Sequence, residues 1–151
     1  MNNFEKKIYD EVIRYNMTDG VYKEKYLVND VMFRNEDGEY VQVVRVLNVD
    51  DNVCAHILNS KDETTIVNFS ELNKDTQIEV YADIMGCHVY DIDEFFDNLK
   101  GCLDDGDKLC VSYEEDENGE TDYDNLVYSI YNSCNDVIGE YHAKTGLYKS
   151  Y

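Results

Sequence analysis

The sequence contains no proline, and only 13 of its 151 residues are lysine or arginine, against 33 aspartates and glutamates. The formal net charge is -20. Nucleic acids and anionic membranes are themselves negatively charged, so such a protein would repel them over most directions of approach. We therefore expect direct binding to neither. The absence of proline also removes the residue that often marks a linker between domains.

Long apolar runs are missing as well. The most apolar segment, residues 40–47, is interrupted by Gln42 and Arg45, so no membrane-spanning helix is predicted. The first residues lead into an amphipathic pattern without the apolar core of a signal peptide, and we expect no export. The cysteines are odd in number and widely spaced, which is typical of reduced thiols in a cytoplasmic protein. They are Cys54, Cys87, Cys102, Cys110 and Cys134.

The motifs of common catalytic and cofactor sites are also absent: there is no G-x-G-x-x-G, H-E-x-x-H, G-x-S-x-G or C-x-x-C. Gly101 and Gly106 have the spacing of a phosphate-binding loop, but Asp107 stands where its lysine is required. The nearest approach to an EF-hand, residues 114–125, ends in Asn125 instead of a bidentate glutamate. Its central part, 116–119, is more typical of a type I′ hairpin turn.

Histidines and cysteines form no recognisable site. Cys54 and His56 would share one face of a strand, whereas Cys87 and His88 would point to opposite faces. A zinc site or a nucleophile and base would need further groups from distant positions. Buried thiols that act as small core side chains are the simpler interpretation. We expect no catalytic residue, no cofactor and no metal site, and hence no enzyme.

What the sequence does contain is enough apolar material for a folded chain. Hydrophobic residues make up 43% and aromatic residues 13%, including 14 tyrosines. A disordered acidic chain carries much less, so this one is expected to fold. Its length suits one compact domain over residues 1–151, with 1–84 and 85–151 as potential sub-units. The predicted fold class is α+β, mainly antiparallel β.

The first half predicts a helix followed by a small sheet. Over residues 3–16, Phe4, Ile8, Val12 and Tyr15 repeat at helical spacing, with Asn2 or Asn3 as cap and a stop at 18–20. Strands are predicted at 31–33, 39–47, 53–58 and 65–67. A helical turn at 70–73 and a further strand at 77–84 would complete a small twisted sheet or an SH3-like barrel.

The second half predicts one acidic helix near 91–103 and a β-meander. Asp91, with Glu94 three residues later, forms a capping box, and Phe95, Leu99 and either Cys102 or Leu103 would be buried. Strands are predicted at 109–113, 125–131, 137–142 and 147–151, with turns at 118–119, near 135 and at 145–146.

Half of the tyrosines lie in this meander, where they predict cross-strand aromatic pairs. The Tyr-rich edge that ends the chain is also a candidate surface for a homodimer. These residues are Tyr113, Tyr123, Tyr128, Tyr131, Tyr141, Tyr148 and Tyr151.

Most of the charge is concentrated in residues 76–125, which carry 16 acidic and two basic side chains, a net charge of -14. Duplex DNA carries that charge in roughly 24 Å, or about seven base pairs. The alternative is an ordinary solvated surface that keeps the protein in solution. The candidate partner-binding residues are Asp91, Asp93, Glu94, Asp97, Asp104, Asp105, Asp107, Glu114, Glu115, Asp116, Glu117, Glu120, Asp122 and Asp124.

The leading hypothesis is a non-enzymatic acidic protein that binds and blocks a basic nucleic-acid-binding protein, such as a nuclease or a CRISPR effector, by imitating DNA or RNA. Anti-defence inhibitors of phages and mobile elements, such as anti-CRISPRs, are similar in charge and size. Two alternatives stay open. One is a small-barrel protein-interaction module over residues 31–84 with incidental charge, and the other is a small enzyme whose pocket the sequence does not reveal.

Overall fold

The computed structural model describes residues 3–16, 27–116 and 118–151, without the side chains of residues 3 and 14–16. The chain divides into two compact units, unit 1 (Met1–Met85) and unit 2 (Gly86–Tyr151). The described residues form helices and two antiparallel sheets, which confirms the predicted α+β class. The predicted cap at Asn2 and the helix stop at 18–20 lie outside the described residues.

Unit 1 combines helices with an open, four-stranded antiparallel sheet in the order β1-β2-β3-β4. Each strand therefore pairs with its neighbour in the sequence, as the predicted hairpins require. The elements are α1 (Asn3–Asn16), β1 (Met32–Arg34), β2 (Tyr40–Val49), β3 (Asn52–Leu58), β4 (Thr64–Asn68), a 3-10 turn (Phe69–Glu71) and α2 (Lys74–Met85).

The apolar stripe of α1 packs into the core of unit 1. Ile8 and Val12 are buried in one cluster with Val43 and Val46 of β2. Burying such a side chain contributes about 1.5–3 kcal/mol, which is enough for a few residues to hold the helix on the sheet. The predicted stripe is thus confirmed where side chains are described, and Tyr15 lies outside them.

The strand predicted at 77–84 is wrong, because these residues belong to α2. Their β-branched and aromatic side chains favour strands, but Thr76, Val80 and Ile84 are buried at intervals of four, the spacing of a helix. Asn73 caps this helix, since its side-chain oxygen accepts the Thr76 N–H at 2.8 Å. Without a fifth strand, no closed barrel forms in the described part of unit 1.

Unit 2 places one helix against a five-stranded antiparallel sheet in the order β5-β9-β8-β7-β6. The predicted meander is confirmed, with β7 beginning at Thr121, earlier than expected. The short β5 was not predicted; it pairs with Leu147 and Tyr148 of β9, so the two edge strands of this sheet are β5 and β6. The elements are β5 (His88–Val89), α3 (Ile92–Cys102), β6 (Lys108–Glu115), β7 (Thr121–Tyr131), β8 (Val137–His142) and β9 (Leu147–Ser150).

Aromatic rings form the core of unit 2. Phe95 of α3 stacks on Tyr141 of β8, with ring centroids 4.2 Å apart and planes 6° apart. The rings of Tyr128 and Tyr148 lie 5.8 and 5.9 Å from Phe95. Both tyrosines are cross-strand neighbours of Tyr141. The Tyr141 hydroxyl also donates to the Tyr90 carbonyl at 2.8 Å. Aromatic pairing across the meander is therefore confirmed, and it builds the core.

The predictions for α3 hold at its N-terminal end but not at its C-terminal end. The Asp91 carboxylate accepts the Glu94 N–H at 2.8 Å, so the cap is confirmed. Phe95 is buried, but Cys102 and Leu103 are both exposed, contrary to the prediction. Cys102 is the last helical residue and Leu103 already has an extended backbone, so the buried stripe stops before them.

The prediction that the cysteines are core residues holds for Cys54, which is buried. Cys87 is half-buried, while Cys102, Cys110 and Cys134 are exposed. The exposed thiols lie at the end of α3, on β6 and in the turn after β7.

Four hairpins share one turn geometry; the sequence predicted turns at 118–119 and near 135, but not this common hydrogen-bond pattern. In each, the side-chain oxygen of a first Asn or Asp accepts the backbone N–H groups two and four residues later. The fourth residue has a positive φ, and Gly, Asp or Asn supplies it. These turns are 35–39, 59–63, 116–120 and 132–136.

The type I′ turn predicted at 116–119 is consequently wrong. A type I′ turn needs positive φ at both central residues. Here Gly119 has a φ of 78°, its N–H donates to the Asp116 carbonyl, and the Asp116 N–H donates to the Glu120 carbonyl, so the loop between the paired residues 116 and 120 is longer than the two residues of a type I′ hairpin. The two-residue turn with both φ values positive is instead at Asp50 and Asp51, with 48° and 65°.

From the hydrogen bonds of the shared turn, we predict that substitutions of Asn132 change the free energy of unfolding. Asn132→Ala removes the acceptor of the Cys134 and Asp136 N–H groups. We expect the free energy of unfolding to fall by about 1 kcal/mol. Asn132→Asp restores the acceptor, as Asp116 does in its own turn, and should stay within about 0.5 kcal/mol of the original protein. Urea unfolding followed by circular dichroism measures both. An equal loss in the two variants would contradict a role for these hydrogen bonds.

Candidate functional site

All fourteen acidic residues selected from the sequence belong to unit 2. This unit carries 16 acidic and four basic side chains, a net charge of -12. Thirteen of the fourteen are described, and Glu117 lies outside the described residues. They fall into a helix cluster (Asp91, Asp93, Glu94, Asp97), a loop cluster (Asp104, Asp105, Asp107) and a hairpin cluster (Glu114, Glu115, Asp116, Glu120, Asp122, Asp124).

The helix cluster lies on the first two turns of α3, and all of its side chains are exposed. Asp91 and Glu94 form the capping box. The hydrogen bond from the Glu94 N–H to the Asp91 carboxylate holds the pKa of Asp91 below its usual range. Asp93 and Asp97 have no hydrogen-bond or ion-pair partner for their carboxylates in the part of the chain that is described.

The loop cluster connects α3 to β6. The carboxylate of Asp107 accepts the Asp104 N–H at 2.9 Å, and the Asp107 N–H donates to the Asp104 carbonyl at 3.1 Å. These reciprocal bonds fix the loop. Asp104 and Asp105 are exposed, and within residues 27–116 and 118–151 their carboxylates have no partner.

Part of the hairpin cluster is engaged within unit 2. The Glu114 carboxylate contacts the imidazole Nδ1 of His142 and accepts the Asn125 side-chain amide at 2.7 Å. Asp122 lies 4.0 Å from the Lys144 ammonium. These contacts occupy carboxylate oxygens that would otherwise be open to another molecule.

The remaining hairpin residues are exposed. Asp116 uses one carboxylate oxygen to accept the turn N–H groups of Asn118 and Glu120, both at 2.9 Å. Glu115, Glu120 and Asp124 have no side-chain partner among the described residues. The hairpin tip therefore presents fewer free carboxylates than its sequence suggests.

The loop cluster and the hairpin cluster lie at opposite ends of β6. At a rise of about 3.3 Å per residue, this strand separates Asp107 from Glu114 by about 23 Å. The stretch between them is uncharged beyond Lys108 and exposed along much of its length, including Val111, which is 57% exposed. The loop cluster and the hairpin cluster are thus separate groups, with an uncharged stretch of β6 between them.

Two exposed tyrosines accompany the hairpin cluster. The rings of Tyr113 and Tyr123 lie 5.2 Å apart, edge to face, and Tyr123 is 73% exposed. Exposed aromatic side chains beside charge are common in protein-binding surfaces. The many tyrosines of the meander indicated aromatic side chains here. Which of them are exposed and which belong to the core depends on the strand register, which the sequence pattern did not give.

A cleft of about 470 Å³ opens between α3 and the sheet of unit 2. The sequence did not predict it, because its lining comes from β5, α3, β7, β8 and β9, which are spread over the second half of the chain. Apolar side chains form its floor, and His88, Asn98 and Asp107 are among its polar lining residues. The exposed Cys102 and Leu103 border it, which explains why these side chains are left out of the core.

The described residues contain no group of three or more His, Cys, Asp or Glu side chains arranged to hold a metal ion. Asp116, which lies in the EF-hand-like stretch 114–125, already accepts two backbone N–H groups. No described helix combines the length and the apolar character that crossing a bilayer requires.

No protein-family model matches this chain, and no curated protein or solved structure matches it either. A function can therefore be argued only from the residues of the chain itself.

The capping bond of Asp91 makes the stability of unit 2 depend on pH. Because its pKa is lower in the folded than in the unfolded chain, ionised Asp91 stabilises the fold above about pH 4, and this contribution is lost as the pH falls through the folded-state pKa. Asp91→Ala should lower the melting temperature at neutral pH, with a smaller difference at about pH 3. Asp91→Asn, which keeps an acceptor oxygen, should recover part of the neutral-pH loss. Melting curves that differ equally at both pH values would contradict the assignment.

Proposed function

We propose that the protein is a non-enzymatic acidic inhibitor that binds the basic surface of a nucleic-acid-binding protein and excludes the nucleic acid. The observation that supports it is a set of exposed carboxylates in unit 2 without partners in the described part of the chain. They are Asp93, Asp97, Asp104, Asp105, Glu115, Glu120 and Asp124. Each of these carboxylates is open to form an ion pair with a lysine or arginine of another protein.

The division between engaged and free carboxylates sharpens this proposal. A carboxylate that caps a helix or a turn gains less from a new cation, because its oxygens already accept hydrogen bonds. In unit 2, Asp91, Asp107, Asp116 and Asp122 accept backbone N–H groups, and Glu114 accepts a side-chain amide. The free carboxylates are thus the better partner-binding candidates among the fourteen.

The separation of the clusters also fits a nucleic-acid site. About 23 Å of β6 lies between the loop and hairpin clusters, and about seven base pairs of duplex span a similar length. Basic side chains that normally contact phosphates at the two ends of such a site would each meet one cluster. The exposed, uncharged middle of β6 would lie between these contacts.

Nuclease and CRISPR-effector grooves have the charge required of the partner. An inhibitor of this kind acts in the cytoplasm, as do anti-defence proteins of phages and mobile elements. The small-barrel alternative has less support, because residues 77–84 form α2 and the described sheet of unit 1 is open.

Affinity capture with a charge-neutralised variant tests the proposal. The tagged protein is incubated with lysate of its source or host and washed at low and high salt, and retained proteins are identified by mass spectrometry. We expect one basic nucleic-acid-binding protein in stoichiometric amount, released at high salt. The test variant combines Asp104→Asn, Asp105→Asn, Glu115→Gln and Glu120→Gln. At about 0.5 kcal/mol per charge pair, it should bind about thirtyfold more weakly.

A matched control removes the same number of charges from unit 1. It combines Glu36→Gln, Asp37→Asn, Glu71→Gln and Glu79→Gln, all at exposed positions. This control should retain the partner as the original protein does. Equal retention of the partner by the test variant, or a partner that survives high salt, would overturn the proposal.

A further inference from the structure

The cleft of unit 2 has the size and lining of a site that receives a side chain. Its volume of about 470 Å³ lies within the range of about 300–1,000 Å³ that is common for ligand clefts. Phe95, Leu99, Ile130 and Ile138 give it an apolar lining. An apolar group that enters the cleft would therefore be removed from water, which is favourable.

Tyrosines form further parts of the lining. Tyr90 stacks on His88 with ring centroids 5.6 Å apart, and the Tyr148 ring lies 6.0 Å from Tyr90. A Cβ atom at Gly139 would lie 2.7 Å from the Tyr148 hydroxyl. The absence of a side chain at Gly139 thus lets Tyr148 lie close to the sheet. Aromatic walls of this kind suit a planar or large apolar side chain.

The charge beside the cleft restricts what can enter it. Asp107 is the only Asp, Glu, Lys or Arg among its described lining residues. Asp104 and Asp105 of the loop cluster follow directly after Leu103, which also lines the cleft. Together with the net charge of -12 of unit 2, these carboxylates oppose an acidic ligand and attract a basic one. A second copy of this chain, at -20, does not fit this requirement.

We infer that the cleft is the anchor site for the basic partner: it receives one aromatic or large aliphatic side chain, and flanking lysines or arginines of the partner pair with the loop cluster. The inference rests on the proposed function and names the segment that unit 2 recognises. An apolar anchor in a pocket with a charged rim is the usual arrangement of a binding hot spot. The inserted side chain then stabilises the complex. The free carboxylates speed the encounter with the basic partner and make binding depend on the salt concentration.

Short peptides provide the probes, since the protein has no tryptophan and an indole can be excited selectively. The first is acetyl-Lys-Lys-Trp-Lys-Lys-amide, titrated with protein and followed by tryptophan fluorescence. Its counterpart with Ala in place of Trp is measured by competition and should bind about tenfold more weakly. A third peptide, with glutamates in place of the lysines, should show no saturable binding, because both it and the rim are acidic.

Matched cysteine variants locate the binding. Cys102→Phe introduces a large ring at the cleft, whereas Cys110→Phe makes the same change on β6, away from the cleft lining. The first should weaken binding of the Lys-Trp peptide about tenfold, and the second should leave it unchanged. Both positions are exposed, and circular dichroism checks that each variant is folded. Leu103→Ser, which removes an apolar lining group, should weaken binding in the same direction as Cys102→Phe.

Equal affinity for the Trp and Ala peptides, or unchanged binding in Cys102→Phe and Leu103→Ser, would overturn the inference. Affinity capture separates this failure from that of the proposed function. If Cys102→Phe retains the basic partner fully while the charge-neutralised variant loses it, the anchor site is wrong and the inhibitor proposal stands. If the Lys-Trp peptide binds in the cleft but no nucleic-acid-binding protein is captured, the anchor site stands and the inhibitor proposal fails.

Discussion

Unit 2 depends on the stack of Phe95 on Tyr141. This contact ties the only described helix of the unit to the middle of its sheet, with ring centroids 4.2 Å apart. Tyr128 and Tyr148 surround it, and the Tyr141 hydroxyl donates to the Tyr90 carbonyl just before the helix cap. The position of α3 in turn fixes both the cleft beneath its last turns and the loop cluster that follows it. Burial raises the pKa of the Tyr141 hydroxyl, so this donor stays protonated to a higher pH than an exposed tyrosine would.

Around this core, the acidic residues divide into those that stabilise the fold and those that are free to act outside it. Asp91, Asp107 and Asp116 accept backbone N–H groups at the start of a helix, in a loop and in a turn. Each replaces a hydrogen bond that the backbone would otherwise make to water. Repulsion between like charges destabilises a compact chain with this net charge. At these three positions, the carboxylate instead stabilises the local backbone through its hydrogen bonds. The remaining carboxylates carry the proposed interaction.

Features of the structure that depend on residues close together in the sequence were largely predicted. Features that depend on contacts between distant residues were not. The cap at Asp91 and the turn residues near 118–119 and 135 act over a few positions, so α3 and the meander could be placed from the sequence alone. Residues 77–84 have strand-forming side chains, but the burial of one face by the sheet and α1 decided in favour of a helix. The cleft and the separation of the acidic clusters follow from register and strand order, which no short pattern contains.

The shared hairpin turn has a consequence for how such a surface can change. Three of the four turns begin with asparagine, and the one at the tip of the β6–β7 hairpin begins with Asp116, yet both side chains accept the same two N–H groups. The first position of each turn can therefore alternate between neutral and charged while the backbone geometry is kept. Because one nucleotide change converts an asparagine codon into an aspartate codon, negative charge could be added or removed at four hairpin tips while the hydrogen bonds of the turn are kept.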